Sequence, residues 1–126
     1  MSANPHSVVG AHAVAAWLRA RAINANRRAM RRAIRGWKYV IGGHHGVFPV
    51  LEESAAFQLE PSNWQEARER FLDYGMELIG LDGDDITGLA TLPWDAADQA
   101  LITGILIAAD WVGSNEQYFP YDAVDP

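Results

Sequence analysis

The sequence predicts an all-α fold, and three observations carry that prediction. Apolar residues recur at helical spacing in four long stretches. Each stretch is bounded by capping residues, asparagines or glycines. No stretch alternates apolar and polar residues as a half-buried strand does. With 126 residues, 49% of them hydrophobic, the chain has enough apolar mass for one core and is expected to be one domain.

The elements follow in order. Ser7 is placed to cap a first helix that runs to about residue 23, with Val14, Trp17, Leu18 and Ile23 near one side. Asn24 and Asn26 mark a break. A second helix is expected over residues 27–41, where Met30, Ala33, Ile34, Trp37 and Ile41 follow the 3, 4, 7 spacing of a buried face. Gly42-Gly43 stops it. Residues 46–61 read as a loop with Pro49 and Pro61, with a short helical turn at 52–58. Ser62 and Gln65 have the spacing of a capping box and open a third helix to about residue 79. Its inward face is expected to be Trp64, Ala67, Phe71, Gly75 and Leu78. Residues 80–93 read as a loop rich in Gly and Asp, with one turn near Ile86. Asp95 caps a last long helix over 96–112, and the aromatic, acidic tail from Asn115 is expected to be irregular. The helical positions of Trp17, Trp37, Trp64 and Trp111 put all four in the core.

Composition excludes several function classes. There is no cysteine, so neither disulfides nor thiolate metal sites can form. The longest apolar stretch, 101–112, is broken by Thr103, Gly104 and Asp110 and is too short to span a bilayer. No signal-peptide pattern opens the chain. A soluble, cytoplasmic protein with no membrane partner is therefore expected. The net charge of −6 hides a split: residues 1–51 carry +8 and residues 52–126 carry −14. Such asymmetry suggests a polyanion near the basic half, or mutual attraction of the two halves across the fold. Arg28, Arg31, Arg32, Arg35 and Lys38 fall mostly off the apolar side of the second helix. They make either a solvated face or a path for nucleic acid.

Two features carry chemistry. In Gly42-Gly43-His44-His45-Gly46, two of the four histidines stand side by side in a glycine-rich break. Neutral imidazole is the commonest protein metal ligand, and glycines permit the sharp turn that brings two rings together. Asp110, 65 residues after His45, ends an apolar run, and a buried carboxylate needs a partner such as a divalent metal. Together they point to a metal-dependent hydrolase, against the plainer readings of a solvated histidine pair and an Arg-paired aspartate. Ser114 and Asn115 are turn residues or hydrogen-bond donors supporting Asp110, with Ser114 preferred. His12, on the first helix, is a further ligand candidate but reads rather as a core or surface histidine. Asp82-Gly83-Asp84-Asp85 lacks the ligand spacing and closing Glu of a calcium loop, so it reads as solvated.

Three blocks carry a resemblance: Pro5-His6-Ser7-Val8-Val9-Gly10-Ala11, then Gly42 to Pro49, then Ala109-Asp110-Trp111-Val112-Gly113-Ser114-Asn115 onward to Tyr121. In order and spacing they resemble the HD-type nuclease domain of the CRISPR-associated helicase-nuclease of type I systems. The resemblance implies an HD-domain-like helical bundle around two metal ions that cleaves single-stranded DNA. It implies metal ligands at His6, His44, His45 and Asp110, with Asp110 and His45 catalytic. It also implies a CRISPR interference complex as partner, reached through the full-length protein, and a helicase domain beyond residue 126. The family's early histidine and His-Asp dyad have no counterpart, since no His-Asp dipeptide occurs in the sequence. The chain is thus expected to be the C-terminal part of the domain, lacking its N-terminal helices, with one ion or none. Mixed imidazole and carboxylate ligands suit Mn, Fe, Co, Ni or Zn, with Mg admissible. The rival readings are a nucleotide phosphohydrolase of the wider HD superfamily and a non-catalytic remnant.

Overall fold

The computed structural model describes residues 6–46 and 62–120. They form five helices and, among the described residues, no strand: α1 (His6–Arg21), α2 (Arg27–Gly42), α3 (Ser62–Ile79), α4 (Gly83–Ala90) and α5 (Ala96–Gly113). The all-α expectation holds. The expected turn at 52–58 and the prolines at 49 and 61 lie outside the described residues.

α1 and α2 form an antiparallel hairpin. Ala11 and Ala15 are fully buried, so small side chains on α1 let the two helices approach closely. The turn between them is closed by Ala25 N–H donating to the Ala22 carbonyl (3.1 Å). Asn26 then caps α2, its Oδ1 accepting from Arg28 N–H (3.0 Å) and Ala29 N–H (3.1 Å). Trp17, Leu18, Ala22 and Ile34 join Ala90 of α4 in the core, with Met30, Trp37, Leu72 and Met76 packed around them. Burying side chains of this size contributes about 1.5–3 kcal/mol each.

The cap of α1 is not Ser7. The helix already includes His6, and Ser7 is a buried residue of its first turn. Ile23 is not on the apolar side of α1 either. It lies past the helix end in the turn and is exposed.

α3 packs mainly on α1, and α5 mainly on α2. Asp73 fixes α3: its carboxylate accepts from the Trp17 indole N–H (2.8 Å) and pairs with Arg21. This corrects the face expected of α3. Leu72 and Met76 turn inward, whereas Trp64, Phe71 and Leu78 face out, Phe71 being 76% exposed. The helix carries two apolar stripes, and the polar contact to α1 decides which one is covered. α3 begins at Ser62 as expected, and within its first turns Gln65 Nε2 donates to Glu69 (3.4 Å).

The Asp-rich segment is a helix start, not only a loop. Asp82 and Asp85 form a reciprocal capping box that opens the two-turn α4. The backbone N–H groups of Asp85 and Asp84 hold the Asp82 carboxyl below the usual carboxylate range. α5 starts as expected, with Asp95 accepting from Asp98 N–H (2.7 Å). It is less buried than its composition suggests: Leu101, Ile105 and Trp111 are exposed, Trp111 at 74%. Trp64 and Trp111 therefore leave the expected core set, and only Trp17 and Trp37 belong to it. Between α3 and α5 an apolar cavity of about 210 Å³ opens onto Trp17 and Trp37, walled by Leu72, Met76, Ile102 and Leu106.

Candidate metal centre

The open end of the α1–α2 hairpin builds the site. His6 stands at the first residue of α1, and α2 ends at Gly42 with Gly43 as its cap. Gly46 N–H donates back to the Gly43 carbonyl (2.8 Å), closing a four-residue turn. His44 and His45 occupy the two central positions of that turn. The glycine that needs its freedom is Gly46, whose φ is +81°, while Gly43 keeps right-handed backbone at φ −87°.

The antiparallel pairing then brings His6 to the turn. His6 Nε2 lies 2.9 Å from His45 Nε2 and 3.3 Å from His44 Nε2. The rings lie close together, with centroids 4.4 Å apart for His44 and His45, tilted by 33°, and 4.5 Å for His6 and His45, edge to face at 75°. His44 is half-buried and the other two are exposed. Nitrogens bound to one ion at about 2.0–2.1 Å stand about 2.9–3.4 Å from one another, whether the angle at the metal is 90° or tetrahedral. The two measured separations fall in that range.

His44 supplies a further sign of ligand geometry. Its Nδ1 lies 2.5 Å from the Ile41 carbonyl. A carbonyl only accepts, so Nδ1 carries a proton, and the neutral ring then has its lone pair on Nε2. Metal-ligating histidines are commonly held in this way. Sequence reasoning missed Ile41 as a contributor. The signal was present, since a helix stopped at Gly42-Gly43 leaves its last carbonyls without helical partners.

The other expected site residues are placed as follows. His12 is buried within α1 and outside the cluster. Asp110 is half-buried in the last turns of α5 and is not one of the three clustered ligands. Its neighbour one turn back, Leu106, shares the apolar cavity with Ile41, and Ile41 precedes His44 by three residues. Ser114 meets Asp110 through the backbone: as cap of α5, its N–H donates to the Asp110 carbonyl (2.8 Å). Arg28, Arg31, Arg32 and Arg35 are exposed along α2, and Lys38 is half-exposed.

Fold and site together define a helical domain with a cluster of three histidines able to hold a metal ion. Comparison with known proteins gives the family. The family model described as "Cas3, HD domain" matches residues 2–119, and the chain belongs to that family. A curated relative, "CRISPR-associated nuclease/helicase Cas3" of Streptococcus thermophilus, is 30% identical over 102 residues, which is 68% of this chain and 10% of the relative. The chain thus spans about a tenth of the length of that relative. No solved structure matches it significantly.

Proposed function

We propose that this chain is a metal-dependent nuclease domain acting on single-stranded DNA in CRISPR interference, in the cytoplasm. The observation that carries the reading is the convergence of His6, His44 and His45 on one point, with His44 held in the metal-binding tautomer by Ile41. These three side chains would hold one divalent ion, of the Mn, Fe, Co or Ni class by donor chemistry, with Mg admissible. When bound, such an ion supplies Lewis acidity at a phosphoryl oxygen and makes water nucleophilic at neutral pH.

The chain's own residues do the rest. The Ile41 carbonyl orients His44. Asp110, one turn past Leu106 on α5, is the carboxylate we assign to the reaction, as a ligand or as acceptor of the proton from water. Ser114 steadies the α5 end that carries it. The arginines of α2 neutralise the phosphates of an approaching strand. A second ion has no His-Asp pair to hold it in this sequence, so cleavage by this chain is slow. The complete CRISPR interference complex is the partner of the longer protein.

The test is cleavage of circular single-stranded DNA with Mn²⁺ or Ni²⁺, alongside calorimetric titration of the same ions. The expected result is one ion per chain and slow nicking, both lost in His44→Ala. Nicking that survives His44→Ala, or no ion binding at all, overturns the reading. Ion binding without any nicking favours the second reading, a non-catalytic HD domain, which the missing dipeptide supports. Faster hydrolysis of free nucleotides than of DNA would point to the third, a nucleotide phosphohydrolase.

A further inference from the structure

The basic face of α2 is not uniform. Arg32 and Arg35 line a cavity of about 310 Å³, whereas Arg28 and Arg31 do not. That volume is within the range of sites for small molecules. One wall is α2, with Arg32, Arg35 and Tyr39. The other is Trp94 and Gln99, where the chain enters α5. No acidic side chain lines the cavity among the described residues. Asp95, next to Trp94, is committed to capping α5.

The cavity wall is fixed in place. The Trp94 ring lies directly against Gly36, where any Cβ would collide with it. Its edge meets Trp37 at a centroid distance of 4.8 Å and an angle of 86°. Trp37 is anchored in turn by its indole N–H donating to the Leu89 carbonyl (2.7 Å). The recess therefore exists before any ligand arrives.

Its chemistry is specific. Two guanidinium groups without a nearby carboxylate select an anion, and a planar fork suits phosphate oxygens. Tyr39, 41% exposed, stands at the wall of the cavity. Gln99 adds an amide that can donate to or accept from a base edge. The site is also separate from the imidazoles: none of the three histidines lines it, and His44 lies in the turn beyond the end of α2.

We propose that this cavity holds one nucleotide of single-stranded DNA, its phosphate against Arg32 and Arg35 and its base edge toward Gln99. The proposal rests on the nuclease reading and deepens it. A strand gripped here runs along α2 toward the His44–His45 turn, so the cavity is a holding site beside the point of cleavage. The five basic residues of α2 divide accordingly. Arg32 and Arg35 grip, while Arg28 and Arg31 contribute only general attraction.

The experiment uses the full chain and a short fluorescein-labelled oligothymidylate, with anisotropy read across a salt series. Two charge-matched double variants are compared, Arg32→Ala/Arg35→Ala and Arg28→Ala/Arg31→Ala. All four side chains are exposed, and circular dichroism checks that both variants keep their helices. The cavity predicts an affinity loss of about tenfold or more for the first and about threefold or less for the second, with the larger drop in salt dependence in the first. Equal losses in the two variants, or none in the first, overturn it. Thymidine monophosphate binding as tightly as the oligomer overturns the strand assignment. The two readings fail separately. If the parent chain nicks DNA through His44 while Arg32→Ala/Arg35→Ala binds normally, the cavity falls and the nuclease stands. If that variant alone loses binding and the parent never nicks DNA, the cavity stands and the nuclease falls.

Discussion

The α1–α2 hairpin and the α3–α5 side of the molecule spend their apolar residues differently. On the hairpin, Ala11, Ala15, Trp17, Ala33 and Val40 are almost wholly buried, and the polar groups at its ends are organised around caps and imidazoles. On α3 and α5, Trp64, Phe71, Leu78, Leu101, Ile105 and Trp111 face outward, and an apolar recess stays open between the two helices. The same helical periodicity therefore has two outcomes. Where a partner helix is present it makes a core, and where none covers it, it makes a surface of the kind that associates. The histidine cluster belongs to the well-packed half.

The sharpest test sets one side chain from each half against the other. Trp17→Ala is expected to cost about 3–5 kcal/mol in urea unfolding, through lost burial and the cavity it leaves. Phe71→Ala is expected to change stability by no more than about 0.5 kcal/mol. Instead, Phe71→Ser with Trp64→Ser should lower self-association in sedimentation. If Phe71→Ala proves as costly as Trp17→Ala, the outer face of α3 is covered and the comparison breaks.

Loading the hairpin end with metal comes next in size. Ni²⁺ at a hundred times its dissociation constant should add about 2.7 kcal/mol to stability, seen as a rise in melting temperature. Chelator should remove the gain, and His44→Ala should abolish it. A gain retained in His44→Ala would place the ion elsewhere.

Gly36→Ala probes the tight junction between α2 and the start of α5. A Cβ there meets the Trp94 ring, so a loss of about 1–3 kcal/mol is expected, with a change in tryptophan emission. No loss would mean that the α5 side is loose even at this junction.

The smallest effect concerns the tie between the two halves. The Arg21 hydrogen bond, and then that of Trp17, hold the Asp73 carboxyl below its ordinary value of 3.8. A depressed folded-state value stabilises the fold above that ordinary value, and the contribution is lost as pH falls through the depressed one. The ion pair is substantially exposed, so it is worth at most about 1 kcal/mol. Asp73→Asn should flatten the acid limb of the stability curve below pH about 4. An unchanged acid limb would show that the pair carries no stability.

The sequence told most where the chemistry is local. Asn26 and Asp95 mark helix starts by their side chains, Gly42-Gly43 marks a stop, and His44-His45 marks the site. Asp82 and Asp85 also carried a local signal, a capping box hidden by its resemblance to a solvated acidic loop. What periodicity alone could not decide was which of two apolar stripes on α3 would find a partner. That depends on Asp73 meeting Trp17, 56 residues away. Nor could it find the grip on α2, because Gly36 and Trp94 carry no mark in sequence of their contact. Family resemblance supplied His6, whose place beside the pair depends on the turn between α1 and α2.

That turn also sets an order of events. The hairpin closes through near neighbours, whereas α3 is tied to it across 52 to 56 residues through Asp73. Local closures are fast and distant ones slow. Substitutions at Asp73 should then mainly quicken unfolding and leave the folding rate alone, while those in the hairpin slow folding. His6 and His45 are only 39 residues apart and sit at the two ends of that early element. The three clustered imidazoles therefore come together with the hairpin, and an ion captured by them would act as a clasp around which the remaining helices assemble.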